Sequence, residues 1–219
     1  MGTSPFFTME RMTGAVLIAS FISFAIGGTL PIVGERGNIR IFNLPVSEHL
    51  QAVAAPALVW RWANVFMGAA AVLLLAGLSM ITTLLEGAGE RFCSRLGLVG
   101  WLLATVLWVI FSAFRGAITV AAAEEMNAAG ATGVVPAYYQ PLAQWGFALF
   151  FVEAVIGSLA LAAYGASLLQ VGLVAAWAAW ATILFSLALL VQLLVIGDTL
   201  PAFHYLPPVL IGILLLSHM

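Results

Sequence analysis

Lysine is missing from this chain, and charge of either sign is scarce. The seven basic residues are all arginine, and only 7% of the 219 residues are charged. A soluble domain carries about 25% charged residues, so a water-facing surface of this size cannot be built here. The missing lysine also excludes a retinal Schiff base, pyridoxal phosphate chemistry and a P-loop, because each of these needs a lysine amine.

Cysteine and histidine are almost as rare. The single cysteine, Cys93, excludes an internal disulfide and a cysteine-cluster metal site. Of the three histidines, only His204 lies in a predicted transmembrane helix, whereas a bis-histidine haem needs two that face each other. We therefore predict no cofactor and no metal site. A bound lipid, or single ligation of a pigment or haem by His204, remains an open alternative.

What the chain does contain is long apolar runs, with 63% hydrophobic residues and a mean hydropathy of +1.13. A helix needs about 20 apolar residues to cross the hydrocarbon core of a membrane. β-Barrel strands would alternate in polarity and be only about ten residues long. The sequence therefore predicts an all-α, polytopic integral membrane protein, a single domain over residues 1–219 with six transmembrane helices: residues 12–33, 57–85, 96–123, 142–168, 172–197 and 202–217.

The longest connection, residues 34–56, has a pattern of its own. Pro45 is followed by Ser47, which is suited to cap a helix, and then by a short amphipathic stretch. This pattern predicts a short helix over residues 48–55 that lies at the membrane interface between the first two transmembrane helices.

Arginines near the helix ends bear on the orientation. Arg11, Arg91 and Arg95 fall on one side of the predicted membrane, and Arg36 and Arg40 fall on the other. Basic residues are enriched in cytoplasmic loops, so three against two favours both termini inside. We expect an integral protein of a bacterial inner (cytoplasmic) membrane.

Two charged residues fall deep inside the predicted helices. Arg115 lies nine residues before Glu124, about 13 Å from the helix end at about 1.5 Å per residue. Glu153 lies twelve residues after Pro141, about 18 Å deep by the same rise. Since the two depths agree to about one helical turn, the sequence predicts that Arg115 and Glu153 can pair across antiparallel helices.

Other polar residues are expected on the same side of the membrane. Intramembrane polar groups are costly and often mark binding sites. We predict a polar pocket open to one membrane face, with these candidate ligand-binding residues: Arg61, Asn64, Arg115, Glu153, Gln192 and His204. Two structural alternatives stay open. The pair of Arg115 and Glu153 could serve only to fix helix register, and Arg61 could simply reach the headgroups.

No catalytic set emerges from the sequence. It contains no H-E-x-x-H motif, no Gly-x-Ser-Gly pattern and no second deep carboxylate beside Glu153. Our first hypothesis is therefore a non-enzymatic subunit or scaffold of a membrane complex. The alternatives are a small-molecule or lipid binder or transporter, and an enzyme that acts on a lipid or quinone with Glu153 as proton carrier. Membrane lipids and other integral membrane subunits are the expected partners, and nucleic acid is not, because no basic run is present.

Overall fold

The computed structural model describes residues 8–34, 44–130 and 134–217, and within these ranges the chain forms helices and no strands. Two short segments depart from α-geometry, a π-helical turn at Phe114–Thr119 and a 3₁₀ turn at Pro201–Tyr205. The α-helices are α1 (Met9–Gly34), α2 (Val46–Ala54), α3 (Ala57–Gly87), α4 (Phe92–Ala113), α5 (Val120–Ala128), α6 (Tyr139–Val171), α7 (Ala176–Ile196) and α8 (Leu206–Ser217).

Helix length and composition confirm the predicted all-α membrane fold. Five helical segments are long and apolar enough to cross a membrane: Met9–Val33, Ala57–Gly87, Phe92–Ala128, Tyr139–Val171 and Ala176–Ile196. The sixth apolar segment, Pro201–Ser217, is shorter. The membrane in which the protein resides and the side on which its termini lie remain predictions, as does the single domain.

Contacts along the chain group it into two compact units. The first takes the described residues of Met1–Ile22, Ala70–Val106 and Phe151–Met219, and the second takes those of Ser23–Ala69 and Leu107–Phe150.

Glycines allow close helix packing in the first unit. A Cβ added at Gly14 of α1 would lie 2.6 Å from the Gly212 carbonyl of α8, and one added at Gly97 of α4 would lie 2.8 Å from the Tyr164 ring of α6. Such close approach is typical of membrane helices, which associate through packing since lipid supplies no hydrophobic driving force. Tyr164 also donates a hydrogen bond of 3.1 Å to the Leu78 carbonyl of α3.

The second unit contains the predicted short helix, which the structure places at Val46–Ala54. Leu50 and Val53 of this helix are buried in a cluster that includes Val120, Ala123 and Met126 of α5. The amphipathic pattern of α2 thus reflects packing against α5 on one face.

A π-helical turn joins α4 to α5. Phe114–Thr119 takes this geometry, so that the span Phe92–Ala128 continues as one helical segment through a wider turn. π-Turns are rare and are frequent at functional sites. Arg115 lies in this turn, half-buried.

Candidate functional site

The α-helical structure is interrupted between α7 and α8, two apolar helices. Gly197 ends α7 with a left-handed φ of 78°, and Leu200 is extended. Pro201 then begins the 3₁₀ turn that leads into α8. α8 has 12 residues, so it is about 18 Å long and shorter than a hydrocarbon core of about 30 Å.

This broken connection meets the middle of α6. His204 Nε2 lies 3.0 Å from the Ser158 hydroxyl, and the imidazole donates a hydrogen bond to the carbonyl of Ala154. α6 runs from Tyr139 to Val171, 33 residues or about 50 Å, and Ala154 lies next to its midpoint. His204 therefore reaches a depth near the centre of a membrane-spanning helix.

Glu153, which directly precedes Ala154, lies buried at this level with 5% of its surface exposed. A Cβ added at Gly157 would lie 3.5 Å from Glu153 Oε1, an ordinary van der Waals distance, so the carboxyl lies beside Gly157. Glu153 Oε2 has no hydrogen-bond partner among the described residues. The Tyr205 hydroxyl, from the 3₁₀ turn, interacts electrostatically with Glu153.

α4 supplies the remaining wall. The Trp101 ring stands edge-on to the His204 ring, with 6.3 Å between the ring centres. It would also lie 3.2 Å from a Cβ at Gly157, so it borders the space beside Glu153. Trp101 Nε1 and the hydroxyl of Thr105, one turn further on, are buried without a hydrogen-bond partner in the described chain. We call Trp101, Glu153, Ser158, His204 and Tyr205 the Glu153 cluster.

No family model, curated protein or solved structure matches this chain. Its function is therefore argued from the chemistry of the Glu153 cluster.

The Glu153 cluster combines an acid, an imidazole, a hydroxyl and an indole donor in an apolar setting. Each buried polar group left without a hydrogen bond costs about 1–3 kcal/mol, and a charge at the bilayer centre costs about 2.5–3.5 kcal/mol on insertion scales. Glu153 Oε2 and Trp101 Nε1 together offer an acceptor and a donor.

The first unit brings two of the six predicted site residues into one cluster. Glu153 and His204 share Ala154 and Trp101 as neighbours. Gln192 lies half-buried on α7 in the same unit and takes no part in the hydrogen bonds described above.

The second unit holds the three other predicted site residues. Arg61 donates to both carboxylate oxygens of Glu124 at 3.0 Å, and both side chains are about half exposed (52% and 48%). Asn64 is buried and donates to the Trp60 carbonyl at 2.8 Å. Arg61 and Asn64 thus belong to the second unit, whereas the Glu153 cluster lies within the first.

Arg115 is surrounded by aromatic rings. Its guanidinium carbon lies 5.4 Å from the centre of the Trp60 ring and 5.7 Å from that of Phe111, distances typical of cation–π contacts. Arg115 and Glu153 belong to different units, so their pairing stays a prediction.

Sequence reasoning missed Ser158 and Trp101 as site residues. Ser158 follows Glu153 by five positions, which places the two side chains on different faces of α6. Only the fold of the α7–α8 connection brings His204 to Ser158. The signal available was Gly157, one turn after Glu153, since small residues in membrane helices allow a neighbour to approach closely, here the Trp101 ring.

Proposed function

We propose that this protein is a membrane-embedded binder or transporter whose site is the Glu153 cluster. The observation that carries the proposal is the broken α7–α8 connection, which places His204 against the middle of α6 beside a buried acid. Transporters commonly form their sites near the bilayer midplane from discontinuous helices. Irregular backbone at membrane depth is tolerated where it is covered by protein or lines a cavity.

The chemistry of the cluster indicates a small polar ligand or a cation. A carboxyl with an oxygen that makes no hydrogen bond in the described chain accepts a donor or a positive charge, and the indole of Trp101 adds a donor and a π face. The cluster is nearly closed in this structure, with 2% of His204 exposed. Binding from water therefore requires the α7–α8 connection to open.

Cysteine accessibility tests the proposal. In a Cys93→Ser background, Ser158→Cys in proteoliposomes is treated with a membrane-impermeant methanethiosulfonate. We expect slow modification from one side of the membrane, since a binding site must open to water. Leu161→Cys, fully buried and less than one turn further along α6, is the matched control and should not react. Ala88→Cys, exposed in the α3–α4 loop, shows that the reagent is active. No reaction at Ser158→Cys from either side would contradict an aqueous binding site.

A second candidate function, a subunit or scaffold of a membrane complex, is supported by the outer face of α7. Large residues there repeat at alternating spacings of three and four, which is the spacing that packs one helix against another. Each is at least 42% exposed: Trp177, Trp180, Leu184, Leu187, Val191 and Leu194.

Purification in a mild detergent tests this second candidate. A stoichiometric partner lost on Leu184→Ala and Val191→Ala, but kept on Leu159→Ala of α6, would support it. Leu159 is a matched control because it is also half-exposed. Recovery of the protein as a lone monomer would count against it.

A further inference from the structure

The Glu153 cluster contains no basic side chain other than the imidazole of His204. The side chains near Glu153 in its unit are Trp101 of α4, which borders Gly157, and Tyr205 of the 3₁₀ turn. His204 contacts α6 at the adjacent Ala154 and at Ser158. None of these is a permanent cation, and both hydrogen-bonding contacts of His204 are made with Ser158 and Ala154 of α6.

A lone carboxylate in this setting would be strongly unfavourable. Its charge would be unpaired among the described residues of the unit, and Oε2 would remain without a donor there. Proton uptake removes the charge, which is the larger of the two costs, because the protonated acid is neutral. Intramembrane acids beside histidine are the pattern of proton relays.

We propose that the species bound at the Glu153 cluster is the proton, held on the Glu153 carboxyl and exchanged with water when the α7–α8 connection opens. This inference rests on the proposed function and names its ligand. The step is an acid–base exchange in which hydronium gives its proton to the carboxylate and leaves as water. The reverse step returns the proton to water, with no change in oxidation state.

His204 is a positioning residue in this scheme. Its contacts with Ala154 and Ser158 hold the 3₁₀ turn against α6. These two residues are about one helical turn apart, and Gly157 lies between them in the sequence. Release of those contacts would expose Glu153 to water, so that proton exchange and opening are coupled.

Labelling with dicyclohexylcarbodiimide tests the proposal, because this apolar reagent modifies protonated carboxyls inside membranes. The full chain in proteoliposomes is treated across a pH series, and the adduct on the Glu153 peptide is measured by mass spectrometry. We expect an adduct at neutral pH whose yield falls about tenfold per pH unit once the carboxyl ionises. Glu153→Gln should abolish it, and Glu124→Gln, at the exposed ion pair with Arg61, should leave it unchanged.

The outcomes separate this inference from the proposed function. No adduct at any pH, or a yield that is the same across the series, overturns the assignment of the proton. If Ser158→Cys still reacts in that preparation, the binding site stands with another cation as its ligand. Because the pH series is measured on the unmodified sequence, failure of Glu153→Gln to fold does not prevent the test.

Discussion

Two buried carboxyls of this protein illustrate how hydrogen-bond partners decide what an acid does. Glu90, in the α3–α4 loop, accepts hydrogen bonds from the backbone N–H groups of Cys93 and Ser94 and from the hydroxyl of Ser167. Glu153 is equally buried but has an oxygen with no partner among the described residues. We therefore assign Glu90 a structural role at the start of α4, whereas Glu153 is the residue on which the proposed function depends.

The role of Glu90 predicts a pH dependence of stability. Burial raises the pKa of its carboxyl, but the hydrogen bonds from Ser167, Cys93 and Ser94 together outweigh burial, and the pKa lies below its ordinary value of 4.5. Since the folded pKa is depressed, the stabilisation is present above the ordinary value and is lost as pH falls through the folded pKa.

Thermal unfolding in detergent, measured from neutral pH down to below the folded pKa of Glu90, tests this loss of stability. Glu90→Gln should lower the free energy of unfolding by about 0.5–2 kcal/mol at neutral pH, the usual cost of losing a helix cap, and should flatten the acid limb. Glu48→Gln, an exposed acid on α2, should cost close to nothing at neutral pH. Equal profiles for Glu90→Gln and the unmodified protein would rule out the cap.

At the residue scale, Glu153 and His204 could be selected from the sequence as candidate site residues, because polar residues are conspicuous in apolar runs. It could not predict Ser158 or Trp101, since their part depends on which element folds over α6. The exposed ion pair between Arg61 and Glu124 was missed for the same reason, as 63 positions separate the two residues.

At the scale of elements, close packing of α1 is a specific prediction. Gly14 lies against the Gly212 carbonyl of α8, whereas a Cβ added at Gly28 of the same helix would meet nothing within 4 Å. Gly14→Ala should therefore destabilise the protein by about 1–3 kcal/mol, because two backbones must move apart. Gly28→Ala should be neutral or stabilising by up to about 1 kcal/mol, because alanine favours helix. Chemical unfolding of both variants in the same detergent measures the difference; equal stabilities would contradict the α1–α8 contact.

The break between α7 and α8 was predictable from sequence, whereas the exact helix ends, which differ from the predicted ones by up to five residues, and the helix geometry were not. Gly197 and Pro201 mark the break between α7 and α8 in the sequence itself, since glycine ends helices and proline begins them. The depth to which the 3₁₀ turn reaches along α6 depends on tertiary packing. The π-turn at Phe114–Thr119 carries no residue signal, because it differs from an α-turn only in hydrogen-bond register.

At the scale of the whole molecule, the apolar composition decides the solvent. Five segments are long enough to cross a membrane, and large apolar side chains are exposed along α4 and α7. In lipid these apolar surfaces are solvated by acyl chains. Polar groups inside the membrane are costly, so each of them indicates a structural or functional role. The orientation of the chain stays a prediction from three arginines on one side of the membrane and two on the other.

Infrared spectroscopy in lipid bilayers tests the central claim, that Glu153 is a neutral acid inside the membrane. At neutral pH we expect the carbonyl stretching band of a protonated carboxyl in the unmodified protein and its loss in Glu153→Gln. Glu124→Gln should retain the band. A spectrum without that band, or one that Glu153→Gln leaves unchanged, would contradict the account.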